Sequence, residues 1–73
     1  MIDPDLPVPL HEQLTGILRS RITSGELTGR VPSILTLAQE YGVSHRTSAH
    51  ALRTLAAEGL IVALRGKGYY VSR

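Results

Sequence analysis

The sequence from residue 34 to residue 53, ILTLAQEYGVSHRTSAHALR, decides the fold. Its apolar residues recur every three or four positions on both sides of Gly42, which is the spacing of an amphipathic helix. Ser33 and Ser44 each precede one of these runs, and serine is a favoured N-cap residue. The pattern therefore predicts two short helices joined by a tight turn at Gly42. Ala38 is the small side chain that lets the two helices approach each other.

Outside this helix-turn-helix, the sequence predicts one earlier helix and a terminal hairpin. Apolar residues at helical spacing predict the first helix over residues 10–24, where a Ser-Gly pair ends it. The β-prone residues 61–64 and 69–71 flank a turn with two glycines at residues 65–68. The fold class is therefore mainly α with a small β-hairpin, a winged helix of three helices and a two-stranded wing. A short third strand is expected near Arg30-Val31.

Length and composition describe one small domain. The chain has 73 residues, which we divide into a flexible, proline-rich leader at 1–9 and a winged helix domain at 10–73. The absence of cysteine excludes a disulfide framework and a thiolate metal site. The longest apolar run, residues 60–64, is too short to span a membrane. A cytoplasmic protein without a membrane partner is expected.

Charge is distributed unevenly along the chain. Residues 1–40 contain five acidic and three basic side chains, whereas residues 41–73 contain five basic ones and a single acid, Glu58. A basic half on a small domain indicates a polyanionic partner, although a solvated basic face would give the same count. Combined with a helix-turn-helix, whose second helix enters the major groove, this charge favours duplex DNA.

Several polar residues are candidate DNA contacts. Arg46 lies in the first turn of helix 3, where an arginine can bond to a guanine edge. Lys67 lies between two glycines at the wing tip, and the glycines let backbone N–H groups approach a phosphate. The remaining candidates on helix 3 and the wing are His45, Thr47, His50, Arg53, Arg65, Gly66 and Gly68.

Together, many short motifs resemble the N-terminal domain of GntR-family repressors, most closely the HutC type, with a plasmid-transfer repressor as one candidate. The resemblance implies sequence-specific binding of double-stranded DNA and adds Ser33 and Ser44 to the contacts. It also implies a palindromic operator for a full-length dimer, and an effector domain that is missing from this chain. The motifs are Pro32-Ser33, Leu37-Ala38, Tyr41-Gly42-Val43-Ser44, Thr47, Ala51-Leu52, Leu55, Gly59-Leu60-Ile61 and Gly66-Lys67-Gly68-Tyr69-Tyr70-Val71.

The sequence also departs from that family. Leu35, His45 and Ala49 stand where members often carry arginine, which puts the usual half-site preference in doubt. Ser48 stands where the helix-turn-helix core normally holds valine or isoleucine. We expect Ser48 to point inward and its hydroxyl to bond to the carbonyl of Ser44.

One other function class stays open at this point, a winged helix that binds proteins and does not read DNA. An enzyme is not expected, because no paired carboxylates, nucleophile-base set or phosphate loop is present. No cofactor or metal is expected either, since His45 and His50 are five residues apart and do not share a helix face. Tyr41 and Tyr70 are predicted to belong to the core, and Arg19 and Arg21 to be solvated.

Overall fold

The computed structural model describes residues 2–72, so the terminal residues of the predicted leader and domain fall outside it. The prediction of three helices followed by a two-stranded antiparallel wing is confirmed. In chain order the elements are α1 (Leu10–Thr23), α2 (Ile34–Tyr41), α3 (His45–Ala57), β1 (Ile61–Leu64) and β2 (Gly68–Val71).

The turn between α2 and α3 is built as the sequence indicates. Gly42 has φ of 66°, a left-handed conformation that glycine adopts without a steric penalty. The following N–H, that of Val43, donates to the carbonyl of Ala38 at 3.1 Å. Ser44 then begins α3, and its side chain accepts the N–H of Thr47. Only residues 42–44 therefore separate α2 from α3, and the two helices pack against each other.

The core is made by the apolar faces of all three helices and by β1. The helix α3 packs against both α1 and α2 and also contacts β1. Because α3 is held on three sides, the direction of its exposed face is fixed by the core. None of the helices within residues 2–72 has the length and hydropathy needed to cross a bilayer. The core side chains are Leu14, Leu18, Leu27, Val31, Leu37, Ala51, Leu52, Leu55 and Ile61.

The segment before α2 pairs with the wing through a single β-bridge, at the place where the sequence predicts a short third strand. Arg30 forms a β-bridge with Tyr70. The N–H of Val31 donates to the carbonyl of Tyr69 at 2.9 Å, and the N–H of Val71 donates to that of Gly29 at 2.8 Å. These bonds tie the start of α2 to the base of the wing.

The placement of Tyr70 in the wing differs from the sequence prediction. Tyr69 and Val71 pack against the core, whereas Tyr70 pairs with Val62 on the opposite face. The expectation that Tyr70 belongs to the core is therefore wrong, because neighbouring residues of a strand point to opposite faces. The expectation for Tyr41 is confirmed, since this side chain packs against the core.

Residues ahead of α1 fold back over its first turns. The side chain of Gln13 accepts the N–H of Asp3 at 2.7 Å. Its amide group donates to the carbonyls of Asp3 at 2.9 Å and Val8 at 2.8 Å. Ile2 also packs against the core. One glutamine thus holds both ends of the leader, whose flexibility stays a prediction.

Candidate nucleic-acid interface

The N-terminal tip of α3 presents polar side chains and free helix donors. His45 and Arg46 are exposed, and Thr47 is half-buried. The hydroxyl of Ser44 donates to Oγ1 of Thr47 at 3.1 Å, which leaves the hydroxyl proton of Thr47 free to donate elsewhere. A helix N-terminus also carries a partial positive charge. This tip is therefore suited to an anionic partner such as a DNA phosphate.

The start of α2 repeats the same arrangement. Ser33 accepts the N–H of Thr36 at 3.1 Å and donates to its hydroxyl at 3.0 Å. Thr36 is exposed and can offer its own hydroxyl proton to a ligand, as Thr47 can. Sequence reasoning missed Thr36. The repeated Ser-x-x-Thr spacing at 33–36 and 44–47 was the signal that could have identified it.

Glu58, the only acidic side chain in residues 41–73, is paired with Arg19 of α1. Arg19 donates to both carboxylate oxygens of Glu58, at 2.9 and 2.6 Å. This hydrogen bond lowers the pKa of Glu58 from its ordinary value. The Arg19 side chain is 44% exposed, in agreement with the expectation that it is solvated, and the packing of α1 on α3 also pairs it with Glu58.

Arg21 also has a structural role and is not solvated as expected. Its guanidinium donates to the hydroxyl of Tyr41 at 3.0 Å and to a carboxylate oxygen of Glu26 at 2.8 Å. The bond to Tyr41 contributes most to raising the pKa of Arg21. The two arginines thus hold helices and loops together. The cations predicted to contact DNA form no ion pair within residues 2–72; they are Arg46, Arg53, Arg65 and Lys67.

An unexpected partner holds His50. The imidazole of His50 stacks on that of His11, with ring centroids 3.8 Å apart and planes 14° apart. His11 lies in the first turn of α1, so sequence reasoning did not connect it with α3. The pair has the same separation of 39 residues as Arg19 and Glu58, because the two helices run side by side in the same direction. His11 thus joins the edge of the candidate interface.

The tip of the wing is an exposed turn with two left-handed glycines. Gly66 has φ of 74° and Gly68 has φ of 97°. The N–H of Lys67 closes the turn by donating to the carbonyl of Leu64 at 2.9 Å. The guanidinium of Arg30 lies about 4.0 Å from the position that a Cβ on Gly68 would occupy. Arg30 therefore adds a cation beside the wing, which the sequence count assigned to the net acidic residues 1–40.

Ser48 belongs to the core and not to the interface. Its side chain is wholly buried, as predicted from the helical stripe of α3. The predicted hydrogen bond is wrong, since the hydroxyl has no partner among the described residues. The carbonyl of Ser44 instead accepts the backbone N–H of Ser48, at 3.1 Å. Position 48 therefore carries an unsatisfied polar group in the core.

The predicted contact residues fall on three neighbouring parts of the fold. Ser33 starts α2, residues 44–47 form the tip of α3, and residues 65–68 form the tip of the wing. His50 and Arg53 are exposed further along α3. Their contact with DNA stays a prediction. The part of the chain that the structure describes contains no cluster of three His, Asp or Glu side chains that could hold a metal.

Comparison with known proteins agrees with this architecture. The model of the family described as "Bacterial regulatory proteins, gntR family" matches residues 10–71. The HTH-type transcriptional repressor NagR of Bacillus subtilis (strain 168) is 35% identical over 74 residues. That alignment covers 99% of this chain and 30% of NagR, so the chain spans about a third of this relative.

Solved structures show the same fold. YtrA from Sulfolobus acidocaldarius, a GntR-family transcription factor, superposes with a TM-score of 0.90 at 32% identity, covering 100% of this chain and 64% of that one. AraR(DBD) in complex with operator ORX1 gives 0.86 at 27% identity, covering 99% and 93%. The match to the family model extends over nearly the whole winged helix. The chain therefore belongs to the GntR family of bacterial regulatory proteins.

Proposed function

We propose that this chain binds double-stranded DNA sequence-specifically and is the DNA-reading domain of a bacterial transcriptional repressor that works in the cytoplasm. The observation that carries the proposal is the exposed tip of α3. It presents the exposed His45 and Arg46 beside free helix donors, and Arg46 forms no ion pair within residues 2–72. Membership of the GntR family and the similarity to AraR(DBD) bound to an operator support the same function.

Each part of the interface has a distinct role in this proposal. The helix α3 enters the major groove, where Arg46 bonds to a guanine edge and Thr47 donates its free hydroxyl proton to a phosphate. The wing lies on the sugar-phosphate backbone or in the minor groove, with Lys67 and Arg65 supplying charge. Arg53 and His50 contact phosphates farther along α3, and the Ser33 end of α2 contacts the backbone.

The full-length protein is proposed to bind a palindromic operator as a dimer and to carry an effector domain beyond this winged helix. NagR, of which this chain spans 30%, supports a longer regulator. A dimer of winged helices would read two half-sites that are related by the two-fold symmetry of the protein.

Selection of bound duplexes from a random pool, followed by affinity measurements, tests the proposal. Arg46→Ala should weaken binding to the selected duplex by about 1–3 kcal/mol and binding to a scrambled duplex much less, because only the base contact is sequence-dependent. The scrambled duplex serves as the matched control, because the charge lost in Arg46→Ala is the same for both duplexes. Failure to enrich any sequence, combined with binding to a protein partner, would favour the protein-binding winged helix instead.

A further inference from the structure

We propose that Leu35 reads the C5-methyl group of a thymine, and thereby determines one position of the DNA sequence that the chain selects. This inference rests on the proposed DNA-binding function and assigns a base-reading residue to the start of α2. The side chain of Leu35 is 51% exposed, more than any other large hydrophobic side chain within residues 2–72.

Leu35 is not needed for packing. The buried apolar residues of α2 are Leu37 and Ala38, at 0% and 7% exposed, and Ile34 and Tyr41 pack against the core beside them. Leu35 is the second residue of α2 and follows the N-cap Ser33 by two positions. The exposed part of this side chain leaves apolar surface in water in the free domain, and that surface is available to a bound partner.

The surroundings of Leu35 favour DNA as that partner. Leu35 lines an open groove of about 310 Å³ that runs between the start of α2 and the start of β2, where Gly68 and Tyr69 lie. Both ends of this groove are thus parts of the proposed interface. Arg30 forms part of the wall, and its guanidinium lies beside Gly68. Arg30 forms no ion pair within residues 2–72. An apolar surface next to such a cation suits a base edge with its neighbouring phosphate better than an apolar protein segment.

The chemistry of leucine restricts which base it can recognise. Its side chain has no hydrogen-bond donor or acceptor, so it cannot distinguish bases through their polar edges. The apolar group that the edges of DNA bases offer in the major groove is the thymine methyl. Contact with that methyl would bury apolar surface on both molecules and would favour thymine over the other bases at that position.

Replacing single thymines of the selected duplex by deoxyuridine removes this methyl and nothing else. For the wild-type chain, one thymine should be sensitive, with a loss in affinity of about fourfold, the ratio expected for burying one methyl-sized group. Leu35→Ala should weaken binding to the thymine duplex and bind the thymine and uracil duplexes equally. Alanine is a strong helix former, and circular dichroism would verify that α2 is retained. Val62→Ala, at another exposed apolar site, should keep the fourfold difference.

Two results would overturn the inference while leaving the proposed function intact. One is selective binding without sensitivity to any thymine methyl, and the other is a sensitivity that persists unchanged in Leu35→Ala. Unaltered affinity of Leu35→Ala for every duplex would likewise overturn it and would assign the leucine to a protein partner or to solvent. Absence of selective binding by the wild-type chain would instead contradict the proposed function, and the inference with it.

Discussion

Replacing Ser48 should stabilise the domain, because its hydroxyl is buried without a hydrogen-bond partner. The side chain is 0% exposed and its oxygen has no partner among the described residues. Leaving a buried polar group unsatisfied costs about 1–3 kcal/mol. Ser48→Ala removes this cost and also gains about 0.5 kcal/mol of helix propensity. The void left by one oxygen atom is smaller than a methyl group and should cost less than about 1 kcal/mol.

The expected net gain in the free energy of unfolding is therefore about 1–2 kcal/mol for Ser48→Ala. Domains of 60–100 residues shift in Tm by about 4–8 °C for each kcal/mol, so the effect is easily measured. Ser48→Val would bury additional methyl groups, at about 0.8 kcal/mol each, if the core has room for them. Overpacking would offset that gain by about 1–3 kcal/mol. The two variants together measure both the polar cost and the space around position 48.

Urea and thermal melts of both variants provide the test, with DNA affinity measured alongside. Ser20→Ala is the matched control, because Ser20 is an exposed serine within α1 and reports helix propensity alone. A Ser48→Ala domain no more stable than the Ser20→Ala control would refute the reasoning and show that the hydroxyl has a partner. DNA affinity should be unchanged. A large loss of affinity in a stable variant would mean that Ser48 faces DNA.

Three further predictions concern salt, pH and the stacked histidines. If the domain neutralises about four phosphates, the logarithm of its DNA-binding constant should fall against log[salt] with a slope of about −3.5. Lys67→Ala should reduce the magnitude of that slope by about one, and an unchanged slope would remove Lys67 from the interface. The pKa of Glu58 is lowered on folding, mainly by its hydrogen bond to Arg19, so its contribution to stability is present at neutral pH and is lost as the pH falls through and below the usual range of a glutamate. Glu58→Gln should be less stable than wild type near pH 7, and melts should show the difference vanishing in acid. The stacked imidazoles of His11 and His50 should contribute to DNA binding at the edge of the interface. Anisotropy titrations of His50→Gln and His11→Gln should show weaker binding than wild type, and unaltered affinity in both would exclude the stacked pair from the interface.

The parts of the fold that were predictable depend on local sequence. A few neighbouring residues encode each of these features: the N-caps Ser33 and Ser44, the left-handed Gly42 and the apolar stripes of the helices. All of them are present in the structure as expected. The bridge at Arg30 also agrees with the expected third strand, although it pairs at a single residue. Local rules of capping and periodicity were sufficient here because a short chain leaves few alternative arrangements for three helices.

The features that were missed depend on contacts between distant residues. The stack of His11 on His50 requires knowing how α1 and α3 are aligned, and the sequence contains no local signal for that alignment. The error at Tyr70 has a different cause. Tyr69 and Tyr70 are consecutive and have the same β propensity, so propensity does not show which of them faces the core. A shift of one residue along the strand exchanges the buried and exposed faces.

The bonds that join residues 29–31 to β2 also determine where the wing can change in length. At the base of the wing, β2 pairs on one side with β1 and on the other with the segment before α2. An added residue there would therefore displace the start of α2. At its tip, residues 65–68 are exposed and joined only within the hairpin. Lengthening such a loop costs little, about 0.6 kcal/mol for each doubling. Insertions at the tip would therefore extend the reach of the wing along DNA without altering how the helices are presented.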